Sequence, residues 1–274
     1  MKKYAKSLGM ICVCLYFLGG AISFAAVNND FAEFETKDHK EEKPKFHTQF
    51  GVRVTEALVR YEENFSITDT KSDWDAWLTR GDLLLNIYRE TDSGNDMGIE
   101  VGFSLFRTST EEEDWDIGEN MEVDDKIVRV DKRENDTDFN GWELKIGLGY
   151  VHDLAHLWKL KHLVYYGHRI IEFDRRNFVL IDDSKNEYQD HIIADEQYNL
   201  DYIGYSPQIT TERENGWFFS FKPGFAYVVH NEAYYDVTVT GEGGLMANAE
   251  VQLGYHFNKK VALYLGLLGE WQYL

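Results

Sequence analysis

From residue 47 onward the chain repeats one arrangement, with an apolar side chain at every second position. In "MGIEVGFSL", residues 97–105, Ile99, Val101, Phe103 and Leu105 share one face, and Glu100, Gly102 and Ser104 share the other. In "GWELKIGLGY", residues 141–150, Trp142, Leu144, Ile146, Leu148 and Tyr150 stand against Glu143, Lys145, Gly147 and Gly149. In "WFFSFKPGFAYVV", residues 217–229, Phe219, Phe221, Phe225, Tyr227 and Val229 stand against Ser220, Lys222, Gly224 and Ala226. A period of two is the signature of a strand, because successive side chains point to opposite faces. The pattern predicts nine strands, at 47–64, 76–90, 97–107, 139–151, 160–173, 196–209, 216–230, 246–257 and 261–273.

A soluble sandwich alternates in the same way, so the identity of the polar face decides between solvents. Here it carries glycines and lone charges such as Glu143, Lys145 and Lys222, as a crowded, hydrogen-bonded lumen requires. Aromatic residues stand at strand ends (Trp142, Trp217, Trp271 and Tyr273), where interfacial girdles belong. Strands in lipid must close on one another, since no water satisfies a free edge. The expected fold class is therefore all-β, an antiparallel transmembrane β-barrel of about ten strands.

The connections fit that expectation. Short ones near 91–96, 152–159, 211–216 and 258–260 alternate with long acidic ones at about 65–75, 108–138, 174–195 and 231–244. Short periplasmic turns and long outer loops alternate in this way. Nine strands leave an even ring one short. Either a last strand is missing, or one hides within "KIVRVDKRE", residues 126–134.

The N-terminus changes the compartment. "MKKYAKS", an apolar stretch and small residues before "AAVNND" make a secretory signal peptide over 1–25, with Ser23 and Ala25 at the small positions. Residues 26–46 are mixed in charge without periodicity and are expected to form a flexible leader; 47–274 form the barrel. Both cysteines, Cys12 and Cys14, lie in the cleaved segment, which excludes a disulfide scaffold and thiol chemistry in the mature chain. The formal net charge is −20, and about −23 once Lys2, Lys3 and Lys6 leave, so a phosphate backbone is repelled and nucleic acid is excluded as a partner.

Four patches carry a family likeness: "SDWDAW" (72–77), "EEDW" (112–115), "LDYIGYS" (200–206) and "VQLGYHFNKKVALYLGLLGEW" (251–271). Together they resemble the omptins, ten-stranded outer-membrane endoproteases that activate water between an aspartate pair and an aspartate–histidine pair at the barrel rim. The resemblance runs loosely from about 50 to 274. It implies that Glu112 and Asp114 match the first pair and Glu232 the second aspartate. Tyr234 falls where the family has histidine, and a phenol near pKa 10 is a poor base. By the alternation along 217–229, His230 shares the lumen-facing set with Lys222 and Ala226, where an imidazole near pKa 6.5 would accept a proton. The candidate catalytic set is Glu112, Asp114, His230 and Glu232.

Other groups add less. "HDLAH" (152–156) has zinc-helix spacing in a strand-to-strand join, and Glu119, Glu122, Asp124 and Asp125 lack the spacing of a calcium loop. No metal or cofactor is expected. "HRIIEFDRR" (168–176) offers arginines for lipopolysaccharide phosphates or for neighbouring acids. The expected function is a non-catalytic surface or envelope barrel with acidic loops. The alternative is an omptin-like endoprotease cleaving basic peptides, and a small porin comes third. The expected partners are outer-membrane lipid and lipopolysaccharide, with basic peptides if the protein is a protease. A monomer of the bacterial outer membrane is expected.

Overall fold

The computed structural model describes residues 11–28, 46–65, 70–91, 95–123, 126–155, 157–189, 194–211, 216–234, 238–241, 243–258 and 261–273. Its strands are β1 (Ile11–Asn28), β2 (Phe46–Phe65), β3 (Thr70–Glu90), β4 (Asp96–Thr108), β5 (Glu111–Val123), β6 (Lys126–Ala155), β7 (Trp158–Asp182), β8 (Glu187–Gln189), β9 (Ala194–Thr211), β10 (Gly216–Tyr234), β11 (Thr238–Gly241), β12 (Leu245–Asn258) and β13 (Val261–Tyr273). Ten of them close into one antiparallel ring, in the order β1-β2-β3-β4-β6-β7-β9-β10-β12-β13 and back to β1. The short strands β5, β8 and β11 stand on the outer ends of that ring.

All nine strands expected from the alternation are present, most of them longer than expected. The tenth lies elsewhere than expected: 126–134 is the outer end of β6, and the ring is completed by residues 11–28. Cys14 to Ala26 pair with Tyr273 to Val261, and Ile11 to Ala25 pair with Phe65 to Gly51. Residues 29–45, most of the expected leader, lie outside the described residues. The stretches 108–138 and 174–195 are not simply loops. There β5, β6, β7 and β8 continue as a sheet beyond the rim, with β6 reaching 30 residues and β7 reaching 25.

The period-two pattern sorts each ring strand into two faces. On β3, Trp77, Leu83, Leu85 and Ile87 are exposed outward, while Trp74, Ala76, Leu78, Arg80 and Asp82 are buried inward. The outward set forms a belt, for example from Phe46 to Leu58 on β2, from Trp217 to Val229 on β10, and from Leu245 to Phe257 on β12. Trp158, Trp217, Tyr255 and Phe257 edge the belt at the short-turn end; Trp77, Tyr166 and Tyr227 edge it at the other. A continuous apolar belt between two aromatic girdles is the surface that lipid covers. The short joins 91–95, 156–157, 212–215 and 259–260 set the periplasmic end.

The lumen is filled in layers. Outermost is an aromatic layer, in which the ring of Phe173 lies 5.1 Å from Tyr61, 5.3 Å from Phe139 and 5.7 Å from Tyr198, with Trp74 5.5 Å from Phe139. Beneath it, Arg80 bridges Asp82 at 2.7 Å and Glu143 at 2.8 Å, while Arg169 bridges Glu143 at 2.5 Å and Glu270 at 2.6 Å. The polar-face glycines make room for this filling. A Cβ on Gly167 would stand 2.2 Å from the Tyr202 ring, and one on Gly204 2.3 Å from the Tyr165 ring. A ten-stranded ring is narrow enough for side chains to close it.

The β9–β10 ladder is interrupted at a pair of prolines. Phe221 pairs with Ile209 and Phe225 with Tyr205, but Pro223 and Pro207 face each other between them without ladder bonds. Proline has no N–H to give, so a facing pair removes two donors at once. The Ser206 hydroxyl donates to the Pro223 carbonyl at 2.9 Å and restores one bond.

Leu267 is 69 % exposed on the outer face of β13. Leu267→Arg should cost about 2–4 kcal/mol in vesicle-folding titrations, the range for arginine near a bilayer midplane. Unchanged stability would place that face in water.

Candidate functional site

The acidic strand β5 alternates like the others, and this decides where its carboxylates point. Glu113 and Trp115 are buried toward the barrel axis, whereas Glu112, Asp114 and Asp116 lie on the outward face. Glu113 accepts hydrogen bonds from Arg175 Nε at 2.7 Å, Ser72 Oγ at 2.5 Å, Thr137 Oγ1 at 2.7 Å and Asn135 Nδ2 at 3.1 Å. Arg175 also pairs with Glu196 and lies 5.1 Å from the Phe173 ring and 5.2 Å from the Trp115 ring. One buried guanidinium thus serves two buried carboxylates above the membrane.

The two acids respond differently. Burial alone would raise the Glu113 carboxyl, but the adjacent Arg175 charge and its hydrogen bonds outweigh this and hold it below the ordinary range. Burial dominates at Glu196 and raises its carboxyl, because Arg175 and the hydrogen bond from Tyr198 offset it only in part and the negative Glu113 adds to it. A fully bonded, charge-compensated carboxylate such as Glu113 has no free lone pair aimed at a substrate. Its role is to lock β5 onto β3, β6 and β7.

The sequence-predicted residues do not converge. Asp114 stands opposite Asp73 of β3 and Glu134 of β6 in the strand register. Lys132 Nζ lies 2.8 Å from Asp114 Oδ1 and 2.9 Å from Glu134 Oε1. Oxygens of Glu112, Asp114 and Glu134 lie within 4.8 Å of one another, and that ammonium stands against two of these three carboxylates, where a metal ion would neutralise them. These carboxylates hold Lys132 well above the usual lysine range.

His230 is a correction to the expected lumen-facing placement. Val228 pairs with Tyr202, but the next described pair is His230 with Asp201, so Val229 is an extra residue and β10 bulges there. One inserted residue turns every later side chain to the other face. Ala233 is consequently buried in the core, and His230, Glu232 and Tyr234 face outward. His230 Nε2 is 3.5 Å from Glu232 Oε1, and the Tyr234 hydroxyl donates to Glu232. β5 is seated between β3 and β6, while β10 lies three strands beyond β6 and five beyond β3 on the ring. Glu112 and Asp114 on one side and His230 and Glu232 on the other therefore occupy outer faces of different walls, with the filled lumen between them.

A carboxylate–imidazole pair that the sequence reading did not single out stands beside His230. Asp201 of β9 is flanked in register by His168 of β7 and His230 of β10. His168 Nδ1 and Asp201 Oδ1 are 2.8 Å apart, the Tyr166 hydroxyl donates to the same oxygen, and the His168 ring lies 5.2 Å from that of Trp142. Burial alone would raise Asp201, but the bonds from Tyr166 and His168 leave it below the ordinary carboxylate range. The row sits on the outer wall just above the apolar belt. The signal for it in sequence was the even parity of 166 and 168 on β7 and the odd parity of 201 and 203 on β9, which come to one face only through the β7–β9 register.

Of the arginines in 168–176, expected at lipopolysaccharide phosphates or at neighbouring acids, Arg169 and Arg175 are 2 % and 1 % exposed, point inward and pair with buried carboxylates; Arg176 is the outward one and pairs with Asp138 and Asp174. His152 stacks on His162 at 5.4 Å within the wall, and His156, Asp124 and Asp125 lie outside the described residues.

A sealed antiparallel ring, an apolar belt between aromatic girdles and a layered lumen define an outer-membrane β-barrel protein. No protein-family model and no curated relative matches the chain. Among solved structures it is similar to the outer membrane protease OmpT from Escherichia coli, at 6 % identity over 100 % of this chain and 97 % of that one, with a TM-score of 0.42. It is also similar to the P. putida toluene transporter TodX, at 8 % identity over 97 % and 90 % with a TM-score of 0.33. A third is Ail, the attachment invasion locus protein of Yersinia pestis, at 12 % identity over 97 % and 99 % with a TM-score of 0.24. At these scores no residue is matched to a counterpart.

Arg175→Met would leave Glu113 and Glu196 buried without their cation and should cost about 3–5 kcal/mol near neutral pH. Because the folded Glu113 carboxyl lies below its unfolded value, its contribution is complete above about pH 4.3 and is lost as pH falls through the lower folded value. Urea unfolding of wild type and variant should therefore converge on acidification. A pH-independent gap would contradict the assignment.

Proposed function

We propose that this protein is a non-catalytic surface protein of the bacterial outer membrane, a sealed barrel that holds an acidic β-sheet outside the cell. The observation that carries this reading is the divergence of the candidate groups: Glu112 and Asp114 face outward from β5, His230 and Glu232 face outward from β10, and the inward carboxylate Glu113 is already neutralised by Arg175. Water cannot be activated between groups separated by an aromatic layer, since a general base must reach the proton it removes. The same layer argues against a porin.

The outward face of β5 is the surface this reading puts forward for contact with other molecules, with Glu112 and Asp116 exposed on it. At the membrane boundary, Arg60 and Arg107 are exposed above the belt, where lipopolysaccharide phosphates would meet them. Residues 1–25 direct export. Their removal would take 11–25 away from β2 and β13, so the mature ring would close by pairing those two edges anew. N-terminal sequencing of protein from outer membranes should begin at Ala26; a chain beginning at Met1 would make β1 a permanent strand.

An omptin-like endoprotease is the second reading. It is favoured by one feature, the His168–Asp201 pair at 2.8 Å, in which a carboxylate orients an imidazole. Refolded protein with lipopolysaccharide, given fluorogenic peptides with paired basic residues, should release no fluorophore. Turnover abolished by His168→Ala or Asp114→Ala would overturn the non-catalytic reading, and steady bilayer conductance would overturn the sealed lumen.

A further inference from the structure

The bulge at Val229 decides what stands opposite Asp201. In an unbroken ladder, Val228 opposite Tyr202 would bring Val229 opposite Asp201 and send His230 inward; the extra residue puts His230 there instead. Asp201 is thereby flanked in register by an imidazole on each side, His168 of β7 and His230 of β10. Glu232 lies two residues beyond His230 on the same outer face. The four side chains are 26–42 % exposed, so solvent reaches them and their rings have room to turn.

These groups still have atoms to give. His168 Nδ1 and the Tyr166 hydroxyl both use Asp201 Oδ1, and Oδ2 accepts nothing from the described residues. His230 Nε2 lies 3.5 Å from Glu232 Oε1, and its Nδ1 has no partner among the described residues. No lysine or arginine among the described residues pairs with Asp201 or Glu232, in contrast to Asp114 and Glu134, which share Lys132. Two imidazoles and a carboxylate on neighbouring strands suit a divalent transition-metal ion, which takes nitrogen and oxygen donors together. An imidazole held through its other nitrogen by a carboxylate is the usual form of such a ligand.

We propose that His168, Asp201 and His230 bind a divalent transition-metal ion of the Zn²⁺ class on the outer wall. The ion takes the place of the proton between His168 Nδ1 and Asp201 Oδ1, which are 2.8 Å apart, and His230 Nδ1 turns in as the third ligand. Glu232 holds the opposite nitrogen of His230 and, with Asp201, balances the two charges of the ion. Water from the exposed side fills the fourth position of a tetrahedral site. The ion ties β9 to β10 above the proline pair that interrupts their ladder. This goes beyond the surface-protein reading, and because metal uptake is read separately from peptide cleavage, either can fail without the other.

The test is a calorimetric Zn²⁺ titration of the refolded, untagged full chain in detergent micelles. One equivalent should bind at micromolar concentration. His168→Ala and His230→Ala should each weaken binding by more than about 100-fold, and Glu232→Ala by about 10–100-fold, the range for an outer partner of a metal ligand. Glu134→Gln, beside the acidic strand, should bind as wild type does. Absence of uptake by the wild type overturns the proposal. Uptake unchanged in both histidine variants marks an adventitious ion only, and uptake lost in Glu134→Gln puts the ion on the β5 carboxylates; either result overturns it equally.

Discussion

Every part of this molecule follows from one constraint: in lipid, a strand can leave no backbone N–H or C=O unpaired. The ring answers it by pairing each strand on both edges, from β1 around to β13. Closure then fixes a narrow lumen, and the pleat sends alternate side chains into it. The cost of that geometry appears where the constraint is broken, at Pro207 facing Pro223, and there a serine hydroxyl replaces one missing donor.

The filling of the lumen determines what the protein can do. Aromatic rings close its outer part and ion pairs its middle, so the barrel is a rigid core turned inside out, with its polar groups on the axis. Buried charges of this kind bring little net stability but punish any change of register, because one shifted strand would leave several of them unpaired. Above the membrane the Glu113–Arg175–Glu196 triad does the same for the projecting sheet, tying β5, β7 and β9 together. Rigid walls then carry their chemistry on the outside, where His168, Asp201 and His230 lie in a row.

The alternation made the nine membrane strands and their two faces legible, since a period of two is local. What it hid is instructive. His230 shares parity with Lys222 in the sequence, but the extra residue at Val229 reverses it, and a bulge depends on the partner strand rather than on local residue type. Within "EEEDW" the residue resemblance pointed to Glu112 and Asp114, whereas parity with the buried Trp115 puts Glu113 inside. Arg169 and Arg175 read as a basic surface patch until odd positions of β7 were known to face inward. The tenth strand was invisible because residues 11–28 carry the composition of an export signal rather than an alternating pattern. The outer extension of β6 and β7 is rich in charge, and so resembles a loop, although its inward face buries Val130, Phe178 and Leu180.

The central claim is that lipid covers the even-numbered face of β6 while packed side chains cover the odd one. Nitroxide labels placed singly at 142 to 150 in vesicle-inserted protein test it through their accessibility to oxygen and to a water-soluble nickel complex. Oxygen accessibility should peak at 142, 144, 146, 148 and 150, with neither reagent reaching 143, 145, 147 or 149. Nickel collisions at the even positions would put water where this account requires hydrocarbon.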